Sequence, residues 1–207
     1  IAMAVEGLTA AGVPNGGAVV KINTRKLLNG LLDRAGVSDG GQRLSVLRAI
    51  DKLDRLGAGG VRDLLGKGRL DDSGAFTRGS ELTGEQIGAV MTFLTAATAG
   101  RASALDVLAG VVGGSAEGDQ GLDELARIDA ALTGLGVSED QARFDPSVVR
   151  GLEYYTGAVF EAELVLQGPV ESLRLGSVGG GGRYDDLVAR FTGERTPATG
   201  FSFGVSR

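Results

Sequence analysis

The sequence predicts an α+β fold in which strand-forming segments at both ends of the chain flank a block of helices. Two patterns support this prediction: apolar residues alternate with period two after Asp145-Pro146, and they recur at helical spacing through the middle of the chain. A helical block flanked in this way is most simply an insertion into a second domain. The predicted parts are residues 1–37, 38–143 and 144–207.

The N-terminal part is predicted to contain a helix, a strand and a second helix. Apolar residues at helical spacing from the first residue indicate a helix that ends at Gly12, and the run Ala18–Ile22 indicates a short buried strand. A stripe of leucines then predicts a helix over Arg25–Ala35, with Asn23 or Thr24 as its N-cap.

Helices alone are predicted between Ser38 and about Arg143. The clearest helix start is the capping box Thr83-Gly-Glu-Gln86, in which the first and last side chains each bond to the other residue's backbone N–H. The glycine-rich stretch 113–121 indicates a loop. The predicted helices are Arg43–Leu56, 83–94, Ser103–Val112 and Leu122–Leu135.

The C-terminal part is predicted to consist of strands, turns and one helix. Period-two alternation indicates a half-buried strand over 159–166, and Gln167-Gly-Pro is typical of a turn into an antiparallel partner. The later predicted elements are a strand over Ser172–Val178, a helix over Arg183–Thr192 with Phe191 on its apolar stripe, and a strand over Thr199–Ser206.

The last predicted strand has two very different faces. One face carries Phe201, Phe203 and Val205, whereas the other carries only glycine and serine. Two glycines on one face of a strand mark a close approach by a ligand or by another part of the backbone. An opening for a flat ligand and tight packing against another element are both open interpretations. The bare face consists of Gly200, Ser202, Gly204 and Ser206.

Composition excludes several kinds of chemistry. The chain has no cysteine and no histidine, so disulfides, thiolate metal sites and Ser-His or Cys-His catalysis are excluded. A net charge of −5 argues against a general nucleic-acid binder. The apolar N-terminus is shorter than the roughly 20 residues of a membrane span, so we expect a cytoplasmic protein. Because the chain starts within a helical pattern and stops directly after a strand-like run, we expect a piece of a longer protein.

Three segments that follow one another along the chain resemble the signatures of one family. The stretch Arg150-Gly-Leu-Glu-Tyr-Tyr-Thr-Gly-Ala-Val-Phe-Glu161 is similar to the histidine-specific signature of histidyl-tRNA synthetases. Residues 179–187 resemble the second signature of that family, and residues 198–207 resemble motif 3 of the class II synthetases. Residues 21–30 resemble the strand and helix before the family's helical insertion. The resemblance implies part of a class II antiparallel-sheet catalytic domain with an all-helical insertion.

The resemblance also implies a reaction and a histidine site. In this family the histidine carboxylate attacks the α-phosphorus of ATP, and the tRNA 3′ end then accepts the aminoacyl group from histidyl-adenylate. Arg150 matches the catalytic arginine, and a guanidinium suits this role because it bridges a carboxylate and a phosphate without proton transfer. The residues matching histidine-binding positions are Arg150, Tyr154, Tyr155, Tyr184, Gly180, Gly181 and Gly182.

Further expectations concern ATP and the partners. Arg207 matches the motif 3 arginine that contacts the ATP phosphates, beside Gly200, Ser202 and Gly204 as a platform for ATP. The resemblance implies Mg²⁺ held largely by ATP itself, tRNA(His) as a substrate, and a homodimer in the full-length parent. The parent's motif 1, motif 2 and anticodon-binding domain lie outside this chain, so the isolated fragment is expected to be inactive.

Two alternatives and one surface prediction remain. Arg48, Lys52 and Arg55 share one face of a predicted helix, which is either a contact for acceptor-stem phosphates or a solvated surface. One rival is the synthetase-like regulatory subunit of ATP phosphoribosyltransferase, which would bind histidine as a signal. The other is a packing module that binds no ligand.

Overall fold

The computed structural model describes residues 1–71, 73–98, 100–150, 154–165 and 176–204. The helices of these ranges are Ala2–Ala10 (α1), Arg25–Arg34 (α2), Gly40–Ile50 (α3), Leu53–Leu65 (α4), Gly84–Thr95 (α5), Arg101–Val112 (α6), Ala116–Gly134 (α7) and Asp185–Thr192 (α8), with a 3₁₀ turn at Ala96–Thr98. The strands are Ala18–Thr24 (β1), Gly68–Leu70 (β2), Phe76–Arg78 (β3), Ala142–Phe144 (β4), Ala158–Leu164 (β5), Ser177–Arg183 (β6) and Thr199–Phe203 (β7). The predicted α+β class is confirmed.

Five strands form one sheet in the order β4-β1-β5-β6-β7. The pairs β1–β5, β5–β6 and β6–β7 are antiparallel, whereas β4 runs parallel to β1. The parallel pair is possible because a long crossover of helices separates the two strands along the chain. The sheet therefore joins the two ends of the described chain on either side of the helical block.

Alternation along the strands gives the sheet one apolar face and one polar face. Val20, Ile22, Phe160 and Ala162 lie in the hydrophobic core on the apolar face. Directly paired residues on antiparallel strands project to the same side. Lys21, Glu161, Gly180 and Ser202 form one such row across four strands on the polar face.

The helical block packs against α2 at a very close helix crossing. Gly30 of α2 faces Gly118 of α7, and a methyl group at Gly30 would lie 2.5 Å from the Cα of Gly118. Because α7 begins at Ala116, most of the glycine-rich stretch 113–121 is helix and not the predicted loop. Ser115 caps α7 by accepting a hydrogen bond from the Gly118 N–H. Small residues there allow the two backbones to approach each other.

The block is not purely helical, which corrects the prediction of helices alone. Strands β2 and β3 form a short hairpin within it. Asp71 organises the turn by accepting hydrogen bonds from the N–H groups of Ser73 and Ala75. Strands of three residues are too short to show a period-two pattern, so the sequence did not reveal them.

The predicted helix Arg43–Leu56 is also wrong as a single element. The chain leaves helical geometry between α3 and α4, and again at Gly57, where φ is 66°. Arg48 and Arg55 therefore lie on different helices, with Lys52 between them, and the three residues do not share one straight helix face. The premise of a single helix is wrong, and the choice between a contact for acceptor-stem phosphates and a solvated surface stays open.

Smaller predictions also differ. The capping box at Thr83 and Gln86 is present, whereas α2 has no side-chain cap. Thr24 instead donates to Glu124 of α7, and Asn23 donates to the carbonyls of Pro146 and Val148.

The C-terminal elements bring further differences. Strand β6 contains the glycine run 179–182, which lies beyond the predicted strand over 172–178. Phe191 is 85% exposed instead of packing in the core. The predicted Gln167-Gly-Pro turn lies outside the described residues.

The division into 1–37, 38–143 and 144–207 stays a prediction. Strand β4 crosses the second boundary, and α2 packs on the helices of the middle segment. Buried Arg101 of α6 donates to the carbonyl of Ala142 in β4 at 2.9 Å. Among the described helices, none combines the length and apolar character that a lipid bilayer crossing requires.

Gly30→Ala should destabilise the fold by about 1–3 kcal/mol, because the added methyl group has no space against α7. The matched control is Gly88→Ala in α5, where the new Cβ meets nothing within 4 Å. That change should be neutral or stabilise by about 0.5–1 kcal/mol through helix propensity. Denaturant unfolding of both variants provides the measurement, and equal midpoints would contradict the packing at Gly30.

Candidate functional site

A pocket of about 650 Å³ lies on the polar face of the sheet, over strands β5, β6 and β7. Its walls and floor come from both signature segments and from the last described strand. The lining includes Arg150, Tyr154, Tyr155, Glu161, Gly180 and Ser202. The residues that the sequence placed in separate motifs therefore meet at one site.

The floor of the pocket is backbone with almost no side chains. A methyl group at Gly180 would contact only the carbonyl oxygen of Phe160, at an ordinary 3.6 Å, and would project into the pocket. Ser202 lies directly beside it on β7, and its hydroxyl donates to the Gly180 carbonyl at 3.3 Å. A flat ligand thus has direct access to the sheet at this point.

The opposite side of the same strand is filled by aromatic rings. A methyl group at Gly179 would lie 2.6 Å from the Phe201 ring, and one at Gly181 would overlap the carbonyl oxygen of Gly200. The Phe160 and Phe201 rings stack at 5.9 Å across the strand. The alternation of β6 thus separates a packed side from an open side.

Three tyrosines form a cluster, the tyrosine wall, in which Tyr154 and Tyr155 line one end of the pocket and Tyr184 packs beside Tyr155. The Tyr154 and Tyr155 ring centroids lie 4.3 Å apart, and those of Tyr155 and Tyr184 lie 6.4 Å apart. Two glycines lie beneath them: a methyl group at Gly182 would lie 2.7 Å from the Tyr155 ring, and one at Gly200 would lie 2.7 Å from the Tyr184 hydroxyl. Gly182 and Gly200 are cross-strand partners, so the wall rests on the glycine-rich surface.

Burial raises the pKa of the Tyr155 phenol, and a hydrogen bond with Tyr154 raises it further. Tyr155 therefore stays neutral over the physiological pH range. A neutral phenol both donates and accepts hydrogen bonds, which suits the recognition of a polar ring.

Arg150 and Glu161 form a two-bond ion pair at the pocket. Arg150 Nε lies 2.9 Å from Glu161 Oε2, and Arg150 Nη2 lies 2.6 Å from Glu161 Oε1. The Glu161 side chain is 7% exposed, whereas the Arg150 side chain is 53% exposed. The hydrogen bond to Glu161 raises the pKa of Arg150, and the nearby charges of Asp51 and Asp54 add to this shift.

A second set of charges surrounds Lys21 on the same face. Lys21 Nζ lies 2.7 Å from Glu163 Oε2 and 3.4 Å from Asp145 Oδ2. Burial alone would lower the pKa of Lys21, but these carboxylates raise it overall. The lysine directly opposite Glu161 in the sheet is thus neutralised by other groups.

Asp185 forms several hydrogen bonds beside the tyrosine wall. Its two carboxylate oxygens share the single Nε–H of Arg183, and Oδ1 also accepts from the Ala198 N–H. The backbone N–H of Asp185 donates to the Thr156 hydroxyl. Burial alone would raise the pKa of Asp185, but the Ala198 N–H and the Arg183 guanidinium lower it overall. This residue connects the tyrosine segment to the last strand.

The predicted site residues fall into three groups. Arg150, Tyr154, Tyr155, Gly180, Gly181, Ser202 and Gly204 line the pocket. Gly182, Gly200 and Tyr184 pack against one another beside it, so the tight-packing interpretation holds for Gly200 and the open-face interpretation for Ser202 and Gly204. Arg207, predicted to contact ATP, and Ser206 of the predicted bare face lie outside the described residues.

Sequence reasoning missed Glu161 and Asp185 as site residues. The period-two pattern that predicted β5 already placed Glu161 on the less apolar face, where an unpaired charge requires a partner. The acidic start of α8 was an equivalent signal for Asp185. Neither pattern alone identifies the partner, because the partners come from other strands.

Solved structures share this fold. A histidyl-tRNA synthetase from Nostoc sp. PCC 7120 matches 99% of the chain, and 43% of its own length, with a TM-score of 0.81 and 29% identity. A Bacillus halodurans protein described as an ATP phosphoribosyltransferase regulatory subunit/histidyl-tRNA synthetase matches 97% of the chain, and 45% of its own, with a TM-score of 0.73. At 23% identity, the second match supports the fold alone. The fold is that of a synthetase-type catalytic domain.

Sequence comparison identifies the family. The model described as Histidyl-tRNA synthetase matches residues 1–207, and the chain belongs to the histidyl-tRNA synthetase family. Proteins named histidine–tRNA ligase from Caulobacter vibrioides and Ruegeria pomeroyi are 67% and 53% identical over the whole chain. The chain spans 43% and 42% of these relatives' lengths.

Gly181→Ala should destabilise the sheet by about 1–3 kcal/mol or more, because its methyl group would overlap backbone atoms of β7. Gly180→Ala on the same strand is the matched control and should leave stability within about 0.5 kcal/mol, since its methyl group points into open space. Thermal unfolding of the two variants tests this difference. A large loss of stability for Gly180→Ala would contradict the assignment of the two faces.

Proposed function

We propose that this chain provides part of the active site of a histidine–tRNA ligase, which activates L-histidine with ATP and transfers it to tRNA(His). The observation that carries the proposal is the pocket in which Arg150 faces a bare glycine floor and a tyrosine wall. Membership of the family and relatives named histidine–tRNA ligase support the same reaction. Because the chain spans less than half of those relatives, the activity belongs to the full-length protein.

Arg150 is proposed to stabilise the charge that moves during adenylate formation. An oxygen of the histidine carboxylate forms a bond to the α-phosphorus of ATP, and the bond to the bridging oxygen breaks to release pyrophosphate. A guanidinium held at the pocket donates hydrogen bonds to the carboxylate and to the α-phosphate as the negative charge redistributes. In the second step the tRNA 3′ hydroxyl oxygen attacks the histidyl carbonyl carbon and AMP leaves. No protein side chain needs to become covalently attached.

The tyrosine wall is proposed to recognise the imidazole of histidine. Tyr154 and Tyr155 offer hydroxyls that bond to either ring nitrogen, and their rings supply apolar contact. Tyr184 supports Tyr155 from the side. Because a site built to hydrogen-bond a polar group rejects analogues that lack it by roughly 10⁴–10⁵-fold, no editing site is required.

ATP is proposed to lie along the open floor, over Ser202 and Gly204, with Arg207 toward its phosphates. The described pocket residues do not fit a protein-held Mg²⁺ site, because the Glu161 carboxylate bonds to Arg150 through both oxygens. Within the described ranges no group of three or more acidic side chains is arranged around a metal position. We propose that Mg²⁺ enters with the nucleotide, and that the full-length protein is a cytoplasmic homodimer acting in translation.

Arg150→Ala in the full-length protein should lower histidine-dependent ATP–pyrophosphate exchange by about 10²–10³-fold, because one preorganised donor is lost. The matched control is Arg127→Ala on α7, an arginine whose side chain is 78% exposed and pairs with Asp123. Exchange by the control should equal that of the parent. Absence of exchange in the parent, or full activity of Arg150→Ala, would contradict the proposed function.

Gly180→Ala should raise the KM for histidine or ATP by about 10-fold, because one methyl group then occupies the floor of the pocket. The folded protein should keep its unfolding midpoint. Steady-state exchange measured over a range of each substrate distinguishes which ligand lies above Gly180. Unchanged KM values for both substrates would show that the ligands bind elsewhere.

A further inference from the structure

We propose that Glu161 is a positioning residue that holds the Arg150 guanidinium in its productive orientation. This inference rests on the proposed function of the pocket. Glu161 itself is assigned no contact with substrate. It acts through Arg150 by fixing the plane and the direction of the guanidinium group.

The geometry of the pair leaves Arg150 able to bind a substrate. The bonds to Glu161 use Nε and one N–H of Nη2, at 2.9 and 2.6 Å. A guanidinium has five N–H donors, so three remain, including both on Nη1. A two-bond contact along one edge fixes the plane of the group and directs the remaining donors away from the carboxylate. Those donors are the ones suited to bridge a carboxylate and a phosphate.

The two partners differ in how firmly the fold holds them. Glu161 lies in β5, which is hydrogen-bonded to β1 on one side and to β6 on the other. Its side chain is 7% exposed, whereas that of Arg150 is 53% exposed. The strand therefore fixes the carboxylate. The carboxylate in turn restricts the long arginine side chain, which would otherwise lose rotamer freedom as the transition state forms.

The Glu161 carboxylate pairs with Arg150 without competition from the neighbouring lysine. Lys21 is its direct cross-strand neighbour and would be a competing partner. The ammonium group of Lys21 instead lies 2.7 Å from Glu163 and 3.4 Å from Asp145. A second acidic pair thus neutralises the lysine, and both bonds from Arg150 reach the same carboxylate.

The test is Glu161→Gln in the full-length protein. Glutamine keeps the size of the side chain, but one of its two terminal atoms is an NH2 donor, so it cannot accept the two parallel bonds on two separate oxygens. We expect kcat for histidine-dependent ATP–pyrophosphate exchange to fall by about 10²-fold, as for a misplacement of about 1 Å. The KM for histidine should change by less than about threefold, because the loss concerns the transition state. If the positive charge of Arg150 mattered without its orientation, removal of Glu161 would raise activity instead.

Glu81→Gln is the matched control, since it weakens another two-bond arginine–glutamate pair, the exposed Arg78–Glu81 pair of the helical block, whose residues do not line the pocket. Its kcat should stay within about threefold of the parent. A double variant completes the cycle: Glu161→Gln added to Arg150→Ala should cause no further loss, because a positioning residue acts only through its partner. Additive losses would show an independent role and overturn the proposal.

The outcomes separate this inference from the proposed function. A parent protein without exchange activity would end both. An active parent that depends on Arg150 but retains full kcat as Glu161→Gln would overturn only the positioning role. A loss of kcat in Glu161→Gln that is accompanied by an unfolding temperature below the assay temperature would show that general destabilisation explains the effect and would overturn the positioning role. Glu161→Asp keeps the charge and should recover more activity than Glu161→Gln.

Discussion

The close approach of strand β6 to its neighbours is the constraint on which the site depends. Four consecutive glycines, 179–182, leave the middle of this strand without side chains on either face. On one side the Phe160 and Phe201 rings close over the strand, and on the other side the space becomes the floor of the pocket. Glycine weakens a strand interior, so packing by the aromatic rings has to offset that loss. The same glycine run thus determines both the packing of the sheet and the absence of side chains on the pocket floor.

The charged side chains on the polar face of the sheet are paired. Buried carboxylates and ammonium groups are tolerated only with partners, and the face satisfies this rule with two neighbouring sets. Lys21 is matched by Glu163 and Asp145, and Arg150 is matched by Glu161. The first set lies deep in the fold, whereas the arginine of the second reaches the solvent-accessible pocket. A buried ion network therefore lies beside the ion pair that reaches the pocket.

The sequence predicted the features that depend on local patterns. Helical spacing and the capping box at Thr83 located most helices, and the signatures identified the family and the pocket residues Arg150 and Tyr154. Features set by tertiary contact escaped: α7 begins early because Gly118 packs against α2, and Thr24 bonds to a distant helix instead of capping its own. Glu161 was missed for the same reason, since its partner lies outside its strand.

Pairing of β1 with both β4 and β5 has a consequence for how the chain reaches this structure. Asn23 and Pro146, which are bonded beside the sheet, are 123 residues apart along the chain. Closing so large a loop in an unfolded chain carries a substantial entropic cost before any strand contact repays it. The hydrogen bonds within each intervening helix are short-range, so the helices can form before the two ends of this loop meet. We therefore expect the sheet, and with it the pocket, to assemble late in folding.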